Sequence, residues 1–202
     1  MKTGMIMRRE RKTANDYVQR LAIPSVFPST FAYVPASFVD DDVVLGPDML
    51  AIGNATYYHF GVLSSAPHFS WLRTAAGSSE GMFKYTAERV YNTFPWPHDI
   101  SDEQRANIEN AARMIEAARN AIADFKFADH YTVDGMPDAL REAHRANDAA
   151  VLAAYGLPPD SPETVFMSHL LARYSDLVAA YKPERPAREK PLPSSWRRRG
   201  NL

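Results

Sequence analysis

Cysteine is absent from the 202-residue chain, so disulfides, thiolate metal sites and cysteine nucleophiles are excluded together. Histidine is sparse, and its six copies are scattered without the spacing of a metal-binding helix such as HExxH. No metal site is expected. Long apolar runs are missing as well: none approaches the roughly 18 residues that span a bilayer. The stretch from Met1 to Arg11 has neither the apolar core nor the cleavage site of a secretory signal, so a cytoplasmic location without membrane contact is expected. Glycine, with nine copies, builds no glycine-rich turn between a strand and a helix where a cofactor phosphate would sit.

What is present is enough for a core. The chain is 46% hydrophobic and 23% charged, which suits one or two small folded domains and argues against wholesale disorder. Its formal net charge of −1 hides an uneven distribution. Residues 1–20 carry six Lys/Arg against two acids, and residues 182–202 carry seven against two. The residues between them hold ten bases and twenty acids. Basic ends of this kind are either arms that reach phosphate or solubilising tails, and the acidic middle argues against strong independent binding to a polyanion.

Along the chain, Phe31–Val34, Asp42–Leu45 and Met49–Ile52 are β-prone runs punctuated by Pro24, Pro28, Pro35, Gly46-Pro47 and Gly53-Asn54. Between Thr56 and Ala76 the spacing of Phe60, Val62, Leu63, Phe69, Trp71 and Leu72 predicts one broken helix or two short ones. Ser65 is placed to cap the second, Pro67 is tolerated in its first turn, and Gly77 ends it. Residues 78–97 read as extended or loop, closed by Pro95-Trp96-Pro97. Then the composition changes. Ser101 opens a helix whose Ile108, Ala111, Ile115, Ala118, Ile122 and Phe125 share a face. A second helix runs from Met136-Pro137 to Gly156, and a third starts at Ser161-Pro162-Glu163, with Val165, Phe166, Leu170, Leu171, Tyr174 and Leu177 apolar. The expected fold is α+β: a small β-containing domain with short helices over 21–97 and a helical domain of about three helices over 98–181. A basic arm (1–20) and a basic, proline-rich tail (182–202) flank them.

Signatures of chemistry are missing. There is no Asn-Pro-Pro-aromatic tetrad of the kind that holds a flipped base and no acidic pair followed by Glu-x-Lys, so no catalytic residue is expected. Asp99, Asp102 and Glu103 cluster where a helix begins, and acids there are favoured by the helix dipole. His144 stands one helical turn from Asp148 near Arg141 and Arg145, a spacing that fits a packed or salt-linked face better than a proton-transfer pair. His68 near Trp71 reads as a packing or capping residue.

At Phe60-Gly-Val-Leu-Ser-Ser-Ala-Pro-His68, Trp71-Leu-Arg73 and Tyr91-Asn-Thr-Phe-Pro-Trp-Pro97 the sequence resembles the C-terminal part of MmeI-like restriction-modification enzymes. These join a nuclease, an adenine-N6 DNA methyltransferase and a target-recognition domain in one chain. The resemblance continues through Met136-Pro137, Leu140-Arg141, Ala143-His144, Asp148, Val151 and Ala154-Tyr155-Gly156 and covers roughly residues 20–181. It implies a partial target-recognition domain followed by the family's helical C-terminal domain. The chain would then be a non-catalytic specificity portion acting on double-stranded DNA with a methyltransferase subunit or missing N-terminal domains, and S-adenosylmethionine would be that methyltransferase's cofactor.

By position, the resemblance makes Gly77–Thr86 the segment that faces base edges, with Glu80, Met82 and Lys84 as reading residues and Arg73 and Arg89 as phosphate contacts. Glu accepts from a cytosine amino group, Lys donates to guanine O6 or N7, and Met contacts a thymine methyl. Tyr91, Asn92, Phe94 and Trp96 read as a structural wedge of aromatics and prolines. Two departures from the family pattern stand out. Gly77-Ser78-Ser79 replaces the usual Gly-Arg-Leu, removing a donor, and Pro67 replaces a helix former. Because the recognition segment is also short, a second reading stays open: an interaction module that docks on a methyltransferase, or a remnant that no longer reads DNA.

Overall fold

In the computed structural model, residues 20–40 and 42–181 are described. The basic arm expected over 1–20 lies outside them except for Arg20, and so does the tail expected over 182–202. Among the described residues the fold is α+β, with two small antiparallel sheets, six α-helices and one π-helical turn.

Strand β1 (Arg20–Pro24) is central in the first sheet, flanked by β3 (Ser37–Val39) and β4 (Met49–Ile52), and its Leu21, Ala22 and Ile23 are all buried. β2 (Val26–Pro28) follows after one residue but belongs to the second sheet, beside β6 (Met82–Lys84), with β5 (Ser78–Ser79) at the far edge. Ser25 is the switch point. Its amide donates to the Asp48 carbonyl and its own carbonyl accepts from the Tyr85 amide, each at 2.8 Å, so one residue ties both sheets. Pro24 and Pro28 each end a strand, where the missing donor costs no ladder bond.

Two β-prone runs do other work. Phe31–Val34 is not a strand: Phe31 makes a lone bridge to Thr132, Ala32 donates to the Tyr131 carbonyl, and the segment serves tertiary packing. Asp42–Leu45 is unpaired, and Val44 is almost fully exposed, since β-branched residues form a strand only where a neighbour accepts them.

Helix α1 (Tyr57–Leu63) and α2 (Ala66–Ala76) are separate, and α2 starts on Ser65 with Pro67 in its first turn and stops at Gly77, where φ is +63°. A single π-helical turn (Ala87–Tyr91) follows β6 in the region expected to be extended or loop. α3 (Asp102–Asn120) opens on a reciprocal capping box between Ser101 and Gln104. It ends before Ile122 and Phe125, which the periodicity had assigned to its face. The chain instead turns through Asp124 with φ +53°, and Phe125 stacks on His130 of the short α4 (Phe127–His130). α5 (Asp138–Ala154) and α6 (Glu163–Ala180) form where expected, but of the apolar face expected on α6 only Phe166 and Leu170 are buried, while Val165, Leu171 and Leu177 lie exposed on sides that no other described element covers.

The core does not stop at residue 98. α3 packs on both α5 and α1, and buried residues from Leu21 to Leu170 form one continuous cluster. Gly61 permits the closest approach. A Cβ there would lie 2.7 Å from Ile108 Cγ2 and 2.8 Å from Asn147 Oδ1, whose side-chain amide donates to the Gly61 carbonyl. Gly61→Ala is therefore expected to cost about 1–3 kcal/mol through overpacking. Chemical denaturation would check it, and an unchanged midpoint would mean that α1 can back away from α3 freely.

Candidate nucleic-acid interface

The segment singled out by position folds as a hairpin. Ser79 pairs with Met82 and Ser78 with Phe83, leaving Glu80-Gly81 as a two-residue loop with φ values of +54° and +75°. Two successive left-handed residues are what a type I′ turn requires, and its twist matches the strands. Gly81 adopts this region freely; for Glu80 it costs on the order of 1 kcal/mol. The loop therefore holds Glu80 at the tip in a defined backbone conformation, with its side chain exposed.

Strand alternation divides the next three residues. Phe83 turns into the core, 6.0 Å from Phe27 and 5.6 Å from Phe69 between ring centres. Met82 and Lys84 take the opposite face, where Met82 is half-buried and Lys84 exposed. The antiparallel register sets Val26 across from Lys84 and Pro28 across from Met82. Directly opposed residues share a face, so Val26, which is 47% exposed, and Pro28 complete an outer surface with Met82 and Lys84. Sequence reasoning missed both. A three-residue strand is too short to show alternation, and its partner lies more than fifty residues away.

Behind this surface the hairpin is anchored. The Tyr85 hydroxyl lies 2.9 Å from His68 Nε2, and the His68 ring meets Phe94 edge to face at 4.5 Å. Burial lowers the His68 pKa to about 3 and raises that of Tyr85, so both groups are neutral. His68 thus packs the base of the hairpin onto α2.

The two candidate phosphate contacts are placed differently. Arg89 is exposed on the π turn, whose first turn is capped by Thr86. Arg73, near the end of α2, is ion-paired with Glu163 at the start of α6, and its guanidinium holds the Glu163 carboxyl below the ordinary carboxylate range. A phosphate contact by Arg73 would have to share or displace that carboxylate.

Tyr91 and Phe94 are buried, Trp96 is half-buried and Asn92 is exposed, with the Asn92 amide closing the π turn on the Ala87 carbonyl. The rings of Phe94 and Tyr91 stand 5.8 and 5.6 Å from Trp96. Three successive carbonyls here accept from the helices: Pro95 from the Tyr155 hydroxyl, Trp96 from Arg173 and Pro97 from the Tyr58 hydroxyl. Prolines at 95 and 97 supply no amide donor and keep the segment out of a helix, and it is clamped through its carbonyls from α1, the end of α5 and α6.

His144 and Asp148 hold different partners. His144 Nδ1 donates to the Ser64 carbonyl, which leaves Nε2 to accept from the Tyr131 hydroxyl; the Tyr131 oxygen in turn accepts from Arg119. Asp148 accepts from the Ala66 amide and the Tyr33 hydroxyl, both at 2.7 Å. These are buried structural ties between the sheet-bearing part and the helices. Among the described residues, no group of His, Asp and Glu is assembled that could hold a metal ion, and no helix is long and apolar enough to cross a membrane.

Residues 2–98 match the family model described as the MmeI target recognition domain, and residues 100–181 match the MmeI C-terminal domain. The chain belongs to the MmeI family. Its match lies in that family's C-terminal region: a solved structure of the type IIL restriction-modification enzyme MmeI in complex with DNA superposes with a TM-score of 0.75 at 32% identity, over 80% of this chain and 21% of that one. DNA methyltransferase A of Bacillus subtilis (strain 168) is 29% identical over 158 residues, which are 78% of this chain and 18% of that protein. The chain thus spans about a fifth of the length of either relative. In this MmeI-family chain the hairpin and the Tyr91–Pro97 clamp both fall inside the recognition-domain match, while α3 to α6 fill the C-terminal match almost to its end.

Proposed function

We propose that this chain is the DNA sequence-recognition portion of a restriction-modification enzyme of the MmeI family, and that the 78–84 hairpin reads base edges in the major groove. The observation that carries this reading is a type I′ hairpin inside the recognition-domain match, presenting Glu80, Met82 and Lys84 away from the core. A two-stranded ribbon fits the major groove, and an acceptor, a thioether and a donor are the groups that distinguish cytosine, thymine and guanine edges. Arg89, and Arg73 if Glu163 releases it, would set register through phosphates without carrying sequence information. Val26 and Pro28 extend the reading surface.

The adenine-N6 methyl transfer itself, and the S-adenosylmethionine it consumes, belong on this reading to a methyltransferase subunit or to N-terminal domains. The same reading places the protein in the cytoplasm, with duplex DNA as its partner. Within residues 21–181, recognition is expected to occupy 21–97 and the helical domain 98–181.

Selection from a randomised duplex pool at low and moderate salt, with and without a co-encoded methyltransferase, tests the idea. A defined motif is expected to enrich, and Lys84→Glu is expected to change the preferred base at one position, a discrimination of about 1–3 kcal/mol. Affinity should fall with salt. Enrichment of no motif in either condition would leave the rival reading, in which the helical part docks on a methyltransferase. That rival draws on exposed Leu171, Leu177 and Val178 along α6, and co-purification without DNA would support it.

A further inference from the structure

A cleft of about 530 Å³ opens between the 29–33 segment, α2, the first half of α5 and the start of α6. Its charge runs against that of its surroundings. Residues 21–181 hold ten bases against twenty acids, yet three of those ten, Arg73, Arg141 and Arg145, line this one cleft with Glu163 as its single acid. Arg73 and Glu163 cancel each other. Arg145 pairs with Glu142, but both side chains are mostly exposed, and such a surface pair is weak and readily exchanged.

Arg141 is held in another way. One nitrogen of its guanidinium donates to the carbonyls of Val133 and Met136, both at 3.0 Å. Neutral acceptors fix the plane of the group without cancelling its charge, and the remaining donors of the fork are left to meet an oxyanion. Ser29 and Thr30 add hydroxyls, while Phe31, Phe69 and Phe166 give the cleft apolar walls.

A small inorganic anion would use only the arginines. A volume of this size, within the few hundred Å³ typical of ligand sites, with a cationic side and aromatic walls, suits an anion attached to a flat apolar group. We infer that the cleft binds a nucleotide, its phosphate on Arg141 and Arg145 and its base against the apolar wall. The site is distinct from the face shared by Met82 and Lys84, although the amide of Ser29, on its rim, donates to the Gly81 carbonyl of the hairpin turn at 2.9 Å, and its nucleotide comes either free from solution or as a unit of a DNA strand.

Calorimetric titration of the full chain with adenosine 5′-monophosphate and with inorganic phosphate tests this. The nucleotide is expected to bind, with phosphate about tenfold weaker because the wall contributes nothing to it. Arg145→Gln alone, which breaks no internal bond beyond its surface pair, should weaken the nucleotide several-fold. Arg141→Gln with Arg145→Gln should weaken it by at least about tenfold in a chain that still melts cooperatively by circular dichroism, at a midpoint lowered by the loss of the Arg141 bonds to the Val133 and Met136 carbonyls. Lys84→Glu should leave nucleotide affinity unchanged, which separates this site from the hairpin. Displacement of a bound duplex by the nucleotide would mark a strand as the source, and lack of displacement a free nucleotide. Absence of nucleotide binding to the folded chain, equal binding by Arg145→Gln, or tighter binding of a glutamate-rich peptide competing for the cleft would overturn the inference.

Discussion

Phe94→Ala is expected to lower the thermal midpoint of the whole chain by roughly 6–20 °C, in a single transition. Phe94 is 3% exposed and packed against the rings of His68, Trp71 and Trp96. Truncating a buried phenylalanine to alanine removes its transfer free energy and leaves a cavity, together about 3–5 kcal/mol. At this chain length each kcal/mol moves the midpoint by about 2–4 °C. The single transition is the sharper part of the expectation. Phe94 precedes three carbonyls held by α1, α5 and α6, and the hydrophobic cluster is continuous from β1 to α6. A loss there should loosen the sheets and the helices together. Two resolved transitions, or a shift of under about 2 °C, would mean that the Tyr91–Pro97 segment is a passive connection between independently folding parts. Differential scanning calorimetry reads both quantities at once.

The helices were the most legible part of the sequence, for reasons visible in particular residues. Ser101 with Gln104, Ser65 with Pro67, and the Pro137 and Pro162 starts are local signals that need no distant partner. Of the short strands only Met49–Ile52 was legible in its own residues, because the formation of the others depends on neighbours. Val26–Pro28 pairs only because Met82–Lys84 arrives beside it, whereas the equally β-prone Asp42–Leu45 joins no strand and leaves Val43 and Val44 exposed. The hairpin turn was hidden for a related reason: Glu80-Gly81 lacks the asparagine or aspartate that usually announces a type I′ loop. The base-facing role proposed for 78–86 rests on family position, whereas the local geometry determines which side chains share a surface.

Buried polar groups were the hardest to read. Arg119 on a charged helix looks like a solvent residue, yet it is 7% exposed and donates to the Ala36 carbonyl at 2.7 Å and to the Tyr131 hydroxyl oxygen. A signal did exist: Arg119 follows Ile108, Ala112 and Ile115 at steps of four, three and four, on the stripe that faces inward. What the sequence does not carry is the acceptor, which lies 83 residues away. The pair His144 and Asp148 is similar. Their helical spacing suits a mutual contact, yet tertiary structure gives each a different partner.

Asp148 also gives the chain a pH dependence of unusual sign, which Asp148→Asn should expose. The carboxyl is buried between α2 and the 29–33 segment, and burial raises its pKa from 3.8 to about 7 against the opposing hydrogen bonds from the Ala66 amide and the Tyr33 hydroxyl. Around it stand the Tyr33 ring stacked on His144, and Arg141 and Arg145 on its own helix, close enough to act on the Tyr33 hydroxyl. A carboxyl whose pKa is higher folded than unfolded favours the folded state while protonated. Its contribution is therefore full below about pH 4, is lost as pH rises from 4 to 7, and is absent above that, a difference of roughly 4 kcal/mol at about 1.4 kcal/mol per pH unit.

The histidines act in the opposite direction. His68 and His144 are held neutral by burial, His68 with a pKa of about 3 and His144 well below its ordinary value, so the stability they contribute is present above about pH 6.5 and is lost as pH falls. In the wild type the two effects overlap and partly cancel between pH 4 and 7, so the raw profile is uninformative. The difference between wild type and Asp148→Asn removes the histidines, which are common to both. Asparagine can accept from the Ala66 amide and donate to the Tyr33 oxygen, keeping both hydrogen bonds without a titrating group. Denaturant unfolding at pH 5 and pH 8 should show the variant gaining on the wild type by roughly 2.5–3 kcal/mol across that interval, since the loss runs at about 1.4 kcal/mol per unit only up to about pH 7. A difference that stays flat would mean that water reaches the carboxylate and that the Tyr33–Asp148–Ala66 tie is made by an ordinary ionised aspartate.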